Sequence, residues 1–214
     1  MDKTEMIKLT LSSSIVGGLI VAFANFIFSK KLKIRESKLK QLDKILDKQF
    51  NAYENILNYF ELFKSKIEVD PKEVDNFKEF YNGEVLTFPY FFHDKELYLN
   101  TTFKYRTLRN ENEKWLDSKL KLKLFEFETY IFNLDKFIKD INDDNYWKVG
   151  VVVKNDISYY SDEIIQLCYE FYNKNIFNTK IKFKNKEIYY NNDEINKKLK
   201  TMYFYKYKDM FKKF

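Results

Sequence analysis

Cysteine, histidine and glycine are scarce in this chain of 214 residues, and each shortage excludes a class of chemistry. One Cys excludes an internal disulfide framework, and one Cys with one His cannot supply the ligands of a conventional zinc site. Two of the four Gly are Gly17 and Gly18 in one apolar stretch, so a Gly-rich phosphate loop or dinucleotide fingerprint is excluded. The sequence therefore predicts no bound metal ion and no cofactor.

Arginine is also rare, whereas aromatic residues are abundant. The three Arg leave few side chains for bidentate reading of bases, so any nucleic-acid binding should be tolerant of sequence. Phe, Tyr and Trp make up 19% of the chain. Because aromatic side chains bury large apolar areas, this composition argues against intrinsic disorder. The length suits one ordinary domain, or one domain with an anchor.

The formal net charge of +6 is unevenly distributed along the chain. Residues 1–28 are neutral, 29–40 carry +5, 41–196 carry −5 and 197–214 carry +6. The sequence thus describes an acidic body with two basic ends. A uniformly basic nucleic-acid-binding domain has a different charge pattern.

Residues 9–28 form a run of twenty uncharged residues, LTLSSSIVGGLIVAFANFIF. As a helix this run is about 30 Å long, which matches the hydrocarbon core of a bilayer. Lys and Arg crowd only its C-terminal flank, so the positive-inside rule places the N-terminus outside and residues 30–214 in the cytoplasm. The sequence predicts a single-pass protein of the inner (plasma) membrane, with residues 1–29 as its transmembrane anchor.

Two alternatives compete with the anchor. Ala22, Phe23 and Ala24 resemble the cleavage site of a signal peptide, but the apolar run continues past them and a lysine cluster would then oppose export. A buried helix of a soluble protein is the other alternative, and twenty uncharged residues would give that helix no polar face.

Residues 30–214 are predicted to form one helical domain. A seam of apolar residues, with three- and four-residue steps broken only at Arg35 and Gln49, predicts a long helix over 32–67. We expect its distal half to pack within the molecule and its membrane-proximal half to be able to contact a second copy. Further helices are expected at about 71–82, 94–110, 111–141, 158–175 and 192–212, with a β-hairpin at 179–190. The predicted fold class is mainly α: a transmembrane helix followed by a cytoplasmic helical bundle with a small β-hairpin.

No constellation of catalytic residues accompanies this fold. His93 lies beside Asp94, but no Ser or Cys nucleophile motif accompanies the pair, and Cys168 lies on the apolar face of a helix. The acidic pairs at 143–144 and 162–163 match no calcium loop and are explained by helix ends. We therefore expect a non-enzymatic protein, and a membrane-tethered enzyme around His93 is the least favoured of the alternatives.

The basic ends supply the candidate binding residues, for a membrane surface or for nucleic acid. Lysines that alternate with aromatics in the C-terminal tail (202–214) can stack on single-stranded bases, lie on anionic lipid, or form a core-packed helix with a solvated lysine face. All three interpretations stay open. The candidate residues are Lys30, Lys31, Lys33, Arg35, Tyr203, Tyr205, Lys206, Tyr207, Lys208, Phe211, Lys212 and Lys213.

The excess of Lys, Asn, Ile, Phe and Tyr over Arg, Gly, Pro and Ala is typical of proteins encoded by AT-rich bacterial genomes. Together with the run 9–28 and the basic cluster 30–40, it resembles the membrane-anchored abortive-infection phage-resistance proteins of low-GC Gram-positive bacteria, of the AbiP type. The resemblance lies in architecture, so no functional residue is carried over. It implies an anchor, a cytoplasmic nucleic-acid-binding portion and a role in phage defence. The expected partners are a bilayer with an anionic inner leaflet, a second copy of the chain, and single-stranded nucleic acid or a phage component.

Overall fold

The computed structural model of the chain describes residues 3–69, 77, 85–177 and 192–213, and within them the side chains of all but 5–17, 19, 20, 24, 176, 177 and 213. The chain divides into two compact units, Met1–Lys48 and Gln49–Phe214, and each is described by itself.

Helix α1 runs from Lys3 to Phe63. No Pro interrupts this stretch, and its leucines, lysines and glutamates favour helix. The first unit contains only this helix among the described residues, and its described side chains are mostly exposed. In the second unit the last turns of α1 bury Tyr53, Ile56, Phe60 and Phe63. The predicted intramolecular packing of the distal seam is therefore observed.

The backbone of residues 9–28 lies in α1, but most of the side chains of this run are outside the described set. Among the described residues, the structure contains no helix with the length and apolar character needed to cross a bilayer.

Strands β1 (Lys66–Glu68) and β2 (Thr87–Pro89) form a two-stranded antiparallel sheet, in which Ile67 is opposite Phe88. The predicted helix of 32–67 was wrong at its end, because the chain leaves α1 after Phe63 and pairs with β2. Pro89 ends the strand and a 3₁₀ turn, Tyr90–Phe92, follows it. Sequence patterns did not predict this sheet.

Helix α2 spans Lys95–Asn112 and helix α3 spans Ser118–Ile138. Both begin at an aspartate whose side chain accepts a backbone N–H of the first turn: Asp94 from Leu97 at 2.7 Å and Asp117 from Leu120 at 2.9 Å. The predicted helix over 111–141 is interrupted, since a 3₁₀ turn at Glu113–Trp115 precedes the Asp117 cap.

Helix α4 covers Tyr146–Phe177, twelve residues earlier than the predicted start at 158. The run 149–153 (VGVVV) is helical and buried, and it packs against β2 and the turn after it. Gly150 makes this packing close: a Cβ at this position would lie 2.7 Å from the Cβ of Phe92 and 3.1 Å from that of Phe88.

The C-terminal part consists of helix α5 (Asn192–Leu199), the short helix α6 (Tyr203–Lys206) and a 3₁₀ turn, Phe211–Lys213. The predicted single helix over 192–212 is thus broken into three pieces. The predicted helix at 71–82, apart from Phe77, and the predicted hairpin at 179–190 lie outside the described residues.

Aromatic rings fill the core of the second unit. The rings of Tyr53 and Phe171 are stacked, and Phe60, Tyr105 and Phe127 contact one another edge to face. Helix α3 packs on α4, which also contacts β2 and α6. The prediction of a mainly helical fold is confirmed, and the small antiparallel sheet that the described residues contain is β1–β2.

Candidate functional site

The basic segment after the apolar run lies on α1 with its side chains exposed. Lys30, Lys31, Lys33 and Arg35 are all open to solvent in the first unit. Because consecutive helical residues point about 100° apart, these four charges spread over roughly 200° of the helix circumference, as a partial collar and not as one stripe. Such a collar suits a surface of diffuse negative charge better than one compact anion.

The start of the tail is held by a buried carboxylate on α4. Asp156, 2% exposed, accepts the backbone N–H of Tyr203 at 2.9 Å and that of Phe204 at 3.1 Å. The hydroxyl of Tyr130 donates to the same carboxylate at 3.3 Å. These N–H groups belong to the first turn of α6, where an acceptor is needed. Burial raises the pKa of Asp156 to about 6, although the two backbone hydrogen bonds oppose that shift.

The aromatic residues of the tail face the protein to different degrees. Phe204 and Phe211 are buried, whereas Tyr203, Tyr205 and Tyr207 are half-buried. The ring of Phe204 meets those of Tyr130 and Phe137. Phe204 and Phe211, the two large apolar side chains of the tail, therefore belong to the core, as the core-packing interpretation of the sequence expects.

The lysines of the tail remain on the surface. Lys206, Lys208 and Lys212 are exposed, and the side chain of Lys213 is not described. Lys206 lies over the rings of Tyr207 and Tyr203, with its Nζ 5.0 and 5.9 Å from their centroids. Lys212 pairs with Asp209 at 2.9 Å. Lys208 and Lys212 line one cleft together with Lys136 of α3, beside Asp140 and Asp209.

A second charged cluster ties α3, α4 and α5 together. Glu126 accepts from Lys198 at 2.8 Å and from Lys123 at 3.2 Å, and Lys123 also pairs with Glu163 at 3.5 Å. Lys198 lies 5.1 Å from the ring centroid of Tyr159. Hydrogen bonding to Glu126 raises the pKa of Lys198 against the opposing effect of its burial. The matched charges make this cluster a structural connection between helices.

His93, Asp94 and Cys168, the residues considered as catalytic candidates, make contacts typical of structural residues. His93 is exposed, with Nδ1 3.0 Å from Asp94, whose carboxylate caps α2. The Leu97 N–H, and then His93, lower the pKa of Asp94. Cys168 is buried, and burial raises the pKa of its thiol to about 12, which leaves it protonated and unreactive.

The acidic pairs also have protein partners. Asp143 accepts the Lys95 N–H at 2.6 Å, and Asp162 pairs with Lys64 at 2.9 Å. Within the described part of the chain, no three His, Cys, Asp or Glu side chains are grouped as metal ligands.

Sequence reasoning missed Asp156, which positions the start of the tail. A signal was available: Asp156 is flanked on its own helix face by Val152, Val153 and Tyr160, so its carboxylate falls on an apolar face. A carboxylate in such a place needs hydrogen-bond donors from another part of the chain.

Comparisons with protein-family models, with curated proteins and with solved structures found no match to this chain. No residue role is therefore transferred from a relative.

Proposed function

We propose that this protein is a membrane-anchored, non-enzymatic interaction protein, with the anchor at residues 1–29 and the helical domain at 30–214 in the cytoplasm. The observation that carries the proposal is the uncharged run 9–28 followed at once by the +5 segment 29–40. An apolar run of that length suits a bilayer core, and the basic flank suits the anionic cytoplasmic leaflet.

Side-chain exposure in α1 supports the anchor. Phe23, Phe26 and Phe28 are exposed by 66%, 66% and 65%. Three exposed phenylalanines within six residues of one helix are costly in water, whereas acyl chains would cover them. The exposed basic collar follows within a few residues, at the depth where lipid head groups lie.

The helical domain is proposed to act by binding. Its exposed apolar residues include Leu99 and Phe103 on α2 and Phe132 on α3. Arg106, one turn from Phe103, pairs at 3.2 Å with Asp135, which is one turn from Phe132. The two phenylalanines therefore flank one ion pair on the outer side of α2 and α3, which is a suitable surface for a protein partner. The architectural resemblance to abortive-infection proteins makes phage defence the proposed setting.

Cell fractionation of the full chain tests the anchor. We expect the protein to stay in the membrane pellet through high-salt and alkaline washes, and Ile20→Arg with Phe23→Arg to move it to the supernatant. Phe103→Arg is the matched control, since it adds a charge at an exposed apolar site of the helical domain and should leave the protein in the pellet. Release of the unaltered protein by the salt wash would overturn the proposal.

A second candidate function is sequence-tolerant binding of single-stranded nucleic acid by the tail. The observation in its favour is that Lys206 and Lys208 are exposed beside the half-buried rings of Tyr205 and Tyr207. Lysine with accessible aromatic edges suits a backbone of phosphates with stacked bases. Binding of a labelled oligothymidine by the full chain tests this function.

A further inference from the structure

The membrane-proximal half of α1 exposes a row of mostly apolar residues at heptad spacing. Leu32, Leu39 and Leu42 are exposed by 57%, 50% and 38%. They are separated by seven and three residues, the spacing of positions a, a and d in a heptad repeat. The same spacing continues to Leu46 in one direction and, in the other, to Phe28, Asn25, Val21 and Gly18. This row is named the α1 seam.

The α1 seam suits another helix of the same kind. With Leu32 at position a, position a is occupied by Gly18, Asn25, Leu32, Leu39 and Leu46, and position d by Val21, Phe28, Arg35 and Leu42. A seven-residue repeat over four heptads, interrupted at Arg35, favours a left-handed supercoil of helices in register. A flat surface or a globular partner does not require this repeat.

The charges beside the seam identify the occupant. Between residues 31 and 43, the g positions are Lys31 and Lys38 and the e positions are Glu36 and Asp43. In a parallel pair of identical helices in register, g of one copy faces the following e of the other. Lys31 then faces Glu36 of the second copy, and Lys38 faces Asp43.

An antiparallel pair of helices would bring like charges together. There g faces g and e faces e, so lysines would meet lysines and carboxylates would meet carboxylates. A common membrane orientation, which rests on the proposed function, also makes the two helices parallel. We propose that the occupant of the α1 seam is a second copy of this chain, paired with it as a parallel, in-register, two-stranded coiled coil.

Two residues in the apolar part of α1 contribute to this pairing. Apart from the backbone of its own helix, no atom of the described residues lies within 4 Å of where a Cβ on Gly18 would be, so a second helix can approach closely there. Asn25 is exposed at position a, where its amide hydrogen-bonds to its counterpart and fixes the register. Arg35 at position d opposes the pairing, because two guanidinium groups then lie close together.

Cysteine cross-linking of the full chain in detergent micelles tests the geometry. In a Cys168→Ala background, Leu32→Cys and Leu42→Cys should form disulfide-linked dimers on mild oxidation. The controls Ser37→Cys and Lys44→Cys lie at position f, on the far side of the helix, and should not. Equal cross-linking at positions f, or cross-linking at only one of the two seam positions, overturns the parallel register.

Charge exchange tests the identity of the partner. Lys38→Glu places like charges together twice in the dimer and should weaken association roughly three- to tenfold. Adding Asp43→Lys restores opposite charges and should return the affinity to within about twofold of the unaltered chain. Arg35→Leu should strengthen association.

The mass of the purified chain, measured by light scattering, gives its oligomeric state. Twice the chain mass is expected, and a monomer at tens of micromolar, a trimer or a tetramer overturns the proposal. These measurements are made in detergent and do not depend on the fractionation test, so failure of the dimer and failure of the anchor are distinguishable.

Discussion

Asp156 is the residue on which the position of the C-terminal tail depends most directly. Its carboxylate joins three groups from different parts of the chain: two N–H groups that open α6 and the hydroxyl of Tyr130 on α3. Substituting a residue without an acceptor would leave these donors unpaired inside the protein, at a cost of about 1–3 kcal/mol for each buried group.

The raised pKa of Asp156 makes stability depend on pH in a defined direction. The folded protein holds this proton up to about pH 6, whereas an unfolded aspartate releases it near 3.8. The folded state therefore binds more protons between these values, and the free energy of unfolding should fall as pH rises through this range, by up to about 3 kcal/mol. Asp156→Asn should remove that part of the slope.

Urea unfolding of the full chain at pH 4.5 and at pH 7.5 measures this difference. The comparison is between the unaltered protein and Asp156→Asn, because other carboxylates contribute equally to both. Identical pH slopes would show that Asp156 is not buried as described.

The local sequence of the tail indicated which of its residues are distinctive, but not which of them are buried. The alternation of Lys with Tyr and Phe identified 202–214 as distinctive, and the exposed lysines fit that pattern. Which aromatic rings are buried depends on Asp156, some fifty residues earlier, and no local pattern contains that partner. Lipid or nucleic-acid binding by these residues stays a prediction.

Helices were predictable where their boundaries depend on local side chains. The start of α2 follows from Asp94, whose cap involves only its own first turn. The break before α3 was missed because the Asp117 N–H also donates at 3.1 Å to the hydroxyl of Tyr53 on α1, a partner far away in sequence. The early start of α4 was missed because a β-branched run that favours strands is held in a helix by burial.

Gly150 gives a prediction at the scale of the elements, since α4 contacts β2 and the following turn there. An alanine elsewhere in a helix stabilises it by about 1 kcal/mol relative to glycine. At this position the new methyl group overlaps the Cβ of Phe92, so Gly150→Ala should lower the free energy of unfolding by about 1–3 kcal/mol.

Urea unfolding of the full chain again provides the measurement. Asn155→Ala on the same helix is the control, because Asn155 is exposed and its substitution should be neutral or slightly stabilising. A Gly150→Ala protein as stable as that control would contradict the close packing of β2 on α4.

At the scale of the whole molecule, the division of charge decides where polyanions can bind. On average the −5 middle of the chain disfavours polyanions, whereas the segments 29–40 and 197–214 attract them. If the tail binds single strands, Lys206→Glu with Lys208→Glu should weaken binding of oligothymidine roughly tenfold. The slope of log K against log salt concentration should also fall by the equivalent of about one to two phosphate contacts.

Titration of the full chain with labelled oligothymidine at several salt concentrations measures this effect. Lys104→Glu, at an exposed lysine on α2, is the control for a charge change elsewhere. Unchanged binding in the tail variant, or an equal loss in the control, would remove the tail from consideration as the binding site.

The sequence by itself determined the helical character, the two basic ends, the apolar run 9–28 and the heptad spacing of α1, because each depends on residues close together in the chain. Only the tertiary structure decided that β1 pairs with β2, that α4 begins at Tyr146 and that Asp156 holds the tail. These features depend on contacts between distant residues, such as Gly150 with Phe92 and Asp156 with Phe204. Their energies come from burial and hydrogen bonding that exist only once the chain is folded.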